Sequence, residues 1–166
     1  MPLTFLVAAS LLPVMIAFLL PLLLAAPAAT PPNRFTCTAG RKRVEIVQSG
    51  DRLIYRYGPP GRPDITLTGS PAGGVFYHVE RYNRGEDQTL RFVSGRYQYV
   101  VFNRWQAPQQ LSSGRIEPEY NVSGVLILKD GNIAGRIKCS RSDDLREWPI
   151  FKRLQQDEGN LTPDDA

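Results

Sequence analysis

The chain has one histidine and two cysteines in 166 residues. That scarcity removes whole classes of chemistry. A zinc centre draws on several Cys or His ligands, and the redox signature C-x-x-C does not occur. The D-x-D-x-D-G pattern of calcium loops is absent too. Neither a G-x-S-x-G nucleophile turn nor a Gly-rich phosphate loop leading from strand into helix can be found. His78 alternates with Phe76 and Glu80 on one strand face, a setting that suits a structural residue. Glu86 and Asp87 are adjacent, so a strand would point them apart. Glu117 and Glu119 share a face but lie in a loop, where solvation accounts for them. No catalytic residue, metal ligand or cofactor is therefore expected, and the chain reads as non-enzymatic.

Charge is missing from the first 33 residues, and Phe5 to Ala29 is almost wholly apolar. A run of ~20 residues can enter a bilayer. It also fits a secretory signal, because Ala26-Pro27-Ala28 matches the small-residue cleavage pattern and Ala29 would be the new N-terminus. Residues 1–28 are thus expected to be a signal peptide. An uncleaved anchor is the alternative, since no Lys or Arg precedes the run and Arg34, Arg41, Lys42 and Arg43 follow it. Either way the folded part is expected outside the cytoplasm, periplasmic or secreted, and touches a membrane only through this segment. In that setting Cys37 and Cys139 are expected to pair. Closing a loop of ~100 residues contributes up to ~4.7 kcal/mol in the chain-entropy picture.

What is plentiful is strand pattern. Residues 43–48, "RVEIVQ", put Val44 and Ile46 inward, and 52–58, "RLIYRYG", put Leu53, Tyr55 and Tyr57 on one face. "PPGRPD" at 59–64 breaks the pattern, because three prolines remove amide donors. "VFYHVER" (75–81) and "QTLRFVS" (88–94) flank a turn at Asn83-Arg84-Gly85, and "RYQYVVFNRW" (96–105) alternates throughout. Ala107 to Asn121 reads as a long polar loop. Asp130-Gly131 joins two further strands in a tight hairpin. Ser142 could cap a short helix over 142–148, interrupted by Pro149. Leu145, Trp148, Phe151 and Leu154 would dock an apolar stripe on the strands. The expected fold is all-β: a small antiparallel barrel or barrel-like sandwich of about eight strands with a short C-terminal helix. Residues 29–153 form one β-rich domain, and 154–166 an acidic flexible tail.

All 20 basic residues lie between 34 and 153 against 12 acidic ones, a net of +8, and 16 of the 20 are Arg. Arg forks match carboxylate and phosphate oxygens, so an anionic envelope polymer, glycan or lipid head group is a physically plausible partner. Rows such as Arg52/Arg56 and Arg91 would engage it. Aromatics interleave with these arginines, as at Arg81-Tyr82 and Arg104-Trp105, a pattern that nucleic-acid binders share. For an exported domain the simpler reading is core aromatics and wet arginines on the same strands, so no nucleic acid is expected.

Two resemblances add to this. "SGDRLIYRYGPPGRPDITL" (49–67), "YQYVVF" (97–102) and "SGVLILKDGNIAGRIKC" (123–139) resemble a group of small exported bacterial proteins of unassigned function. More locally, "PAGGVFY" (71–77) and "YNRGEDQTL" (82–90) are similar to two loops of bacterial C-type lysozyme inhibitors. Matches fall at Ala72, Gly74, Tyr77, Gly85, Glu86 and Leu90, with Tyr82 standing for that family's Trp and Arg84 for its Lys; Gly73 stands where that family has a serine. The resemblance implies a binding site at Gly74, Tyr77, Arg84 and Gly85 on adjacent loops. Arg84 would act as a cationic finger toward the carboxylates of a C-type lysozyme.

Overall fold

The computed structural model describes residues 33–145 and 148–158. The apolar N-terminal run and residues 159–166 of the acidic tail lie outside them. Nine strands of five residues or more account for most of the described chain: β1 Arg34–Ala39, β2 Lys42–Ser49, β3 Arg52–Gly58, β4 Ile65–Gly69, β5 Val75–Tyr82, β6 Gly85–Ser94, β7 Tyr97–Gln106, β10 Tyr120–Lys129 and β11 Asn132–Lys138. Four two-residue strands complete the set: β8 Gln109–Gln110, β9 Ile116–Glu117, β12 Arg141–Ser142 and β13 Gln155–Gln156.

The ladders form two main sheets. One runs β12-β1-β2-β3-β4, the other β11-β10-β7-β6-β5-β13, and every pairing among the long strands is antiparallel. Among the described residues the ladder does not close on itself. The sheets approach each other at two corners. At one, Ser142 Oγ of β12 bonds Ser123 Oγ of β10 at 2.9 Å. At the other, β4 passes into β5 through Ser70–Gly74, and Val93 N donates to Gly74 O at 3.1 Å.

Strict alternation supplies the core. Phe35, Val44, Ile46, Leu53 and Tyr55 from the first sheet meet Val75, Leu90, Phe92, Val101 and Val125 from the second, all buried in one cluster. Burying a side chain of this size contributes ~1.5–3 kcal/mol relative to exposure. A smaller cluster of Val100, Phe102, Leu126 and Leu128 lies on the opposite face of the second sheet. The β10–β11 turn bears out its sequence reading: Asp130 has φ 52° and Gly131 φ 80°, both in the left-handed region that a two-residue hairpin uses. Cys37 and Cys139 are at disulfide distance, with Cα atoms 5.3 Å apart, and link β1 to the segment leaving β11.

Three expectations change. The helix over 142–148 does not form in its described residues. Ser142 belongs to β12, paired with Cys37 on β1, and the only helical piece described is a 3-10 turn, Pro149–Arg153. Asp143 explains the difference, because its Oδ2 accepts from both Thr36 N (3.0 Å) and Thr36 Oγ (2.7 Å) and so holds the chain extended along β1. Pro149 opens the 3-10 turn, where its missing N–H costs nothing. The apolar stripe does dock: Leu145, Trp148, Phe151 and Leu154 are all buried, and the Phe151 ring lies 4.7 Å from Tyr77 and 5.1 Å from Trp148.

The tail also starts later than its composition suggests. Gln155–Gln156 adds to β5 as a parallel strand, and Asp157 is buried. Finally, the polar stretch 107–121 is not one open loop. It contains the β8–β9 hairpin, closed by Leu111 N to Arg115 O at 2.8 Å, and the first two residues of β10.

Candidate functional site

The residues carried by the lysozyme-inhibitor resemblance do not meet on one surface. Gly74 precedes β5 and Arg84 follows it, so eight extended residues, about 26 Å of strand, separate them. The expected placement on adjacent loops is therefore corrected: they sit at opposite ends of β5. Tyr77, between them, points inward and is 2% exposed, its ring packed at a tilt against Phe151 as core. Arg84 does not project as a finger. Its Nη2 donates to the carbonyls of Ala107, at 2.8 Å, and Pro108, while Ala107 N donates back to Arg84 O at 2.8 Å. The side chain clamps the segment after β7 onto the β5–β6 hairpin. Gly85 is needed for close approach: a Cβ there would run into Trp105 O and the Tyr82 ring.

Arg91 is likewise engaged. It forms a two-pronged pair with Asp157, Nε to Oδ2 at 2.7 Å and Nη2 to Oδ1 at 2.6 Å, and lies 4.5 Å over the Phe76 ring. Arg104 forks onto Asp87 in the same manner, at 2.6–3.1 Å, and Tyr82 Oη donates to Asp87 Oδ1 at 3.1 Å. Both carboxylates are at least nine-tenths buried, so these pairs organise the sheet rather than await a ligand.

The cations that do gather at solvent lie on the outer face of the first sheet. Strand register puts Thr36, Glu45, Arg56 and Thr66 in one row across β1–β4. Glu45 is the hub. Arg34 reaches it at 2.7 Å, Arg56 at 3.2 Å and Arg43 at 3.8 Å. Three guanidinium groups against one carboxylate leave an excess of two positive charges. All three arginines keep roughly a third or more of the side chain in water, between 32% and 47%. Beside them opens a depression of about 250 Å³, floored by Arg43, Glu45 and Arg56 and walled by Pro59, Pro60 and Pro63. The prolines keep that wall fixed and free of competing N–H groups. At the start of β2, Lys42 bonds Asp64 at 2.9 Å and sits 5.2 Å over the Tyr57 ring; the hydrogen bond to Asp64 raises the Lys42 pKa.

Of the Arg rows expected from sequence, Arg56 belongs to this cluster. Arg52 lies four residues along β3, about 13 Å away, and Arg91 serves the interior. Arg34, Arg43 and Glu45 were missed. The signal was present as outward positions of alternating strands, but cross-strand register, which brings 34, 43, 45 and 56 together, is not written in any one segment. Among the described residues no group of three or more potential metal ligands occurs. No helix there is long and apolar enough to cross a membrane. Comparison with protein-family models, with curated proteins and with solved structures returns no match.

Proposed function

We propose that this chain is an exported, non-enzymatic binding domain that recognises an anionic envelope polymer through the outer face of β1–β3. The observation that carries the reading is the convergence of Arg34, Arg43 and Arg56 on the single carboxylate of Glu45 beside an open, proline-walled depression. Glu45 holds the guanidinium groups in place and leaves their outward N–H groups for phosphate or carboxylate oxygens. The uncharged N-terminal run and the cysteine pair at disulfide distance support export to an oxidising compartment, periplasmic or extracellular. The two corner contacts support reading the architecture as a barrel-like sandwich. The lysozyme-inhibitor-like reading has less support, because Arg84 is spent on backbone carbonyls and lies far from Gly74.

The test is equilibrium binding of the domain to a carboxylated polysaccharide and, separately, to vesicles containing phosphatidylglycerol. Affinity for at least one is expected to fall as salt rises. Arg43→Glu together with Arg56→Glu is expected to abolish it while the thermal midpoint stays within a few degrees. Binding that ignores salt, or survives the double reversal, rejects the reading.

A further inference from the structure

A second surface at the far end of the second sheet has different chemistry. Strand register aligns Tyr82 (β5), Gly85 (β6), Gln106 (β7) and Tyr120 (β10) in one row on the outer face. Three ladder spacings of ~4.8 Å put the Cα atoms of the two tyrosines about 14 Å apart, and the Tyr82 ring extends across Gly85 toward β7, where its hydroxyl lies 3.5 Å from Gln106 Nε2. Both are exposed for large apolar residues, Tyr82 at 38% and Tyr120 at 49%, and Ile116 beside Tyr120 reaches 67%. Gly85 leaves a notch over which the Tyr82 ring lies. The Tyr82 hydroxyl is held by Asp87, itself fixed by Arg104, so the ring is oriented before any ligand arrives. Gln106 stands between the tyrosines; its Nε2 donates to Tyr82 Oη at 3.5 Å, and its amide can also accept through its oxygen.

Two depressions of about 450 Å³ each flank this row, within the ~300–1,000 Å³ of small-molecule sites. Their charges balance: Arg81, Arg84 and Arg115 against Glu86, Glu117 and Glu119. Most are engaged locally, Arg115 with Glu117 at 3.2 Å, Glu119 with Trp105 Nε1 at 2.8 Å, and Arg84 with carbonyls. A surface without net charge has nothing to gain from an ionic partner. Flat aromatic faces separated by an amide instead suit a ligand with apolar ring faces and a rim of hydroxyls.

We infer that this end of the molecule is a binding site for a neutral oligosaccharide, with Tyr82 and Tyr120 as stacking platforms and Gln106 as the hydroxyl-reading group between them. It is distinct from the cationic face of the first sheet and does not depend on it. Trp105 adjoins the row and supplies a fluorescence signal, whereas Trp148 is buried.

The experiment titrates the full domain with chitohexaose, cellohexaose and maltohexaose in turn, by tryptophan fluorescence and calorimetry. At least one is expected to bind saturably at millimolar concentration or below, with little dependence on salt. Tyr120→Ala is expected to weaken that binding roughly three- to tenfold, the worth of one aromatic contact, and Gln106→Ala to weaken it comparably. Tyr97→Ala, at a tyrosine about as exposed as Tyr82 but at the opposite end of the sheet, is expected to leave it unchanged. Absence of binding by all three sugars overturns the inference, as does binding that Tyr120→Ala and Gln106→Ala leave intact. Capture of an apolar peptide at this row in place of any sugar assigns the surface to a protein partner and also overturns it.

Discussion

Asp157, three residues beyond the last apolar anchor of the tail, closes on Arg91 of β6 through two hydrogen bonds of 2.6 and 2.7 Å and is 4% exposed. Its backbone N also donates to Tyr77 O at 2.9 Å. The C-terminal segment is thereby fastened to the sheet by charge as well as by the packing of Trp148, Phe151 and Leu154. Removing one partner of such a pair strands the other in the interior. Asp157→Ala is expected to cost about 3 kcal/mol in urea unfolding, and adding Arg91→Ala to cost less than the two single changes summed. A single-variant loss under about 0.5 kcal/mol, the size of an ordinary surface change, would show that the tail is held by packing alone.

Tyr55 gives a prediction of opposite sign. Its ring is buried between Phe92 and Tyr99, at 5.4 and 5.6 Å, and its hydroxyl has no hydrogen-bond partner among the described residues. A stranded buried hydroxyl costs roughly 1–3 kcal/mol, so Tyr55→Phe is expected to be neutral or to stabilise by about 1 kcal/mol. Burial, ahead of its tyrosine neighbours, pushes the Tyr55 pKa well up. The folded pKa then exceeds the unfolded value, about 10 for tyrosine. The neutral phenol's contribution is therefore fully present below pH ~10 and is lost as pH rises toward the folded pKa. Denaturation followed from pH 8 upward should show this alkaline loss in the parent chain and a smaller one in Tyr55→Phe.

Arg84 separates two roles by experiment. As a clamp on Ala107 and Pro108, its loss is expected to cost about 1 kcal/mol and to speed amide exchange through the β8–β9 hairpin. Binding to the anionic polymer should not change, because that surface lies on the other sheet. As a finger, its loss would leave exchange untouched and remove inhibition of a C-type lysozyme. Hydrogen exchange and a cell-wall lysis assay on Arg84→Ala, run together, decide between them.

The Cys37–Cys139 pair spans 102 residues and joins β1 to the end of β11. Replacing both with serine is expected to lower stability by about 2–4 kcal/mol. Guanidinium unfolding of the parent chain with and without reductant should reproduce the same difference. Equal midpoints in the two conditions would mean that β1 is held by its ladder and core side chains alone.

Local pattern determined much of this protein. Alternation placed the inward faces of β2 and β3, the Asp130-Gly131 pair placed its hairpin, and the spacing of Leu145, Trp148, Phe151 and Leu154 showed that the tail docks. Each of these rests on interactions within a few residues, so sequence carries them. Tertiary structure alone decided how the ladders divide into two sheets, because register between distant strands depends on the whole core. It also decided which arginines are available. Arg84, Arg91 and Arg104 look alike in sequence, yet each is consumed by a carbonyl or carboxylate far along the chain. Arg34, Arg43 and Arg56 stay at the surface because three neighbouring strands bring them to one shared glutamate, an arrangement that only the paired backbone can make.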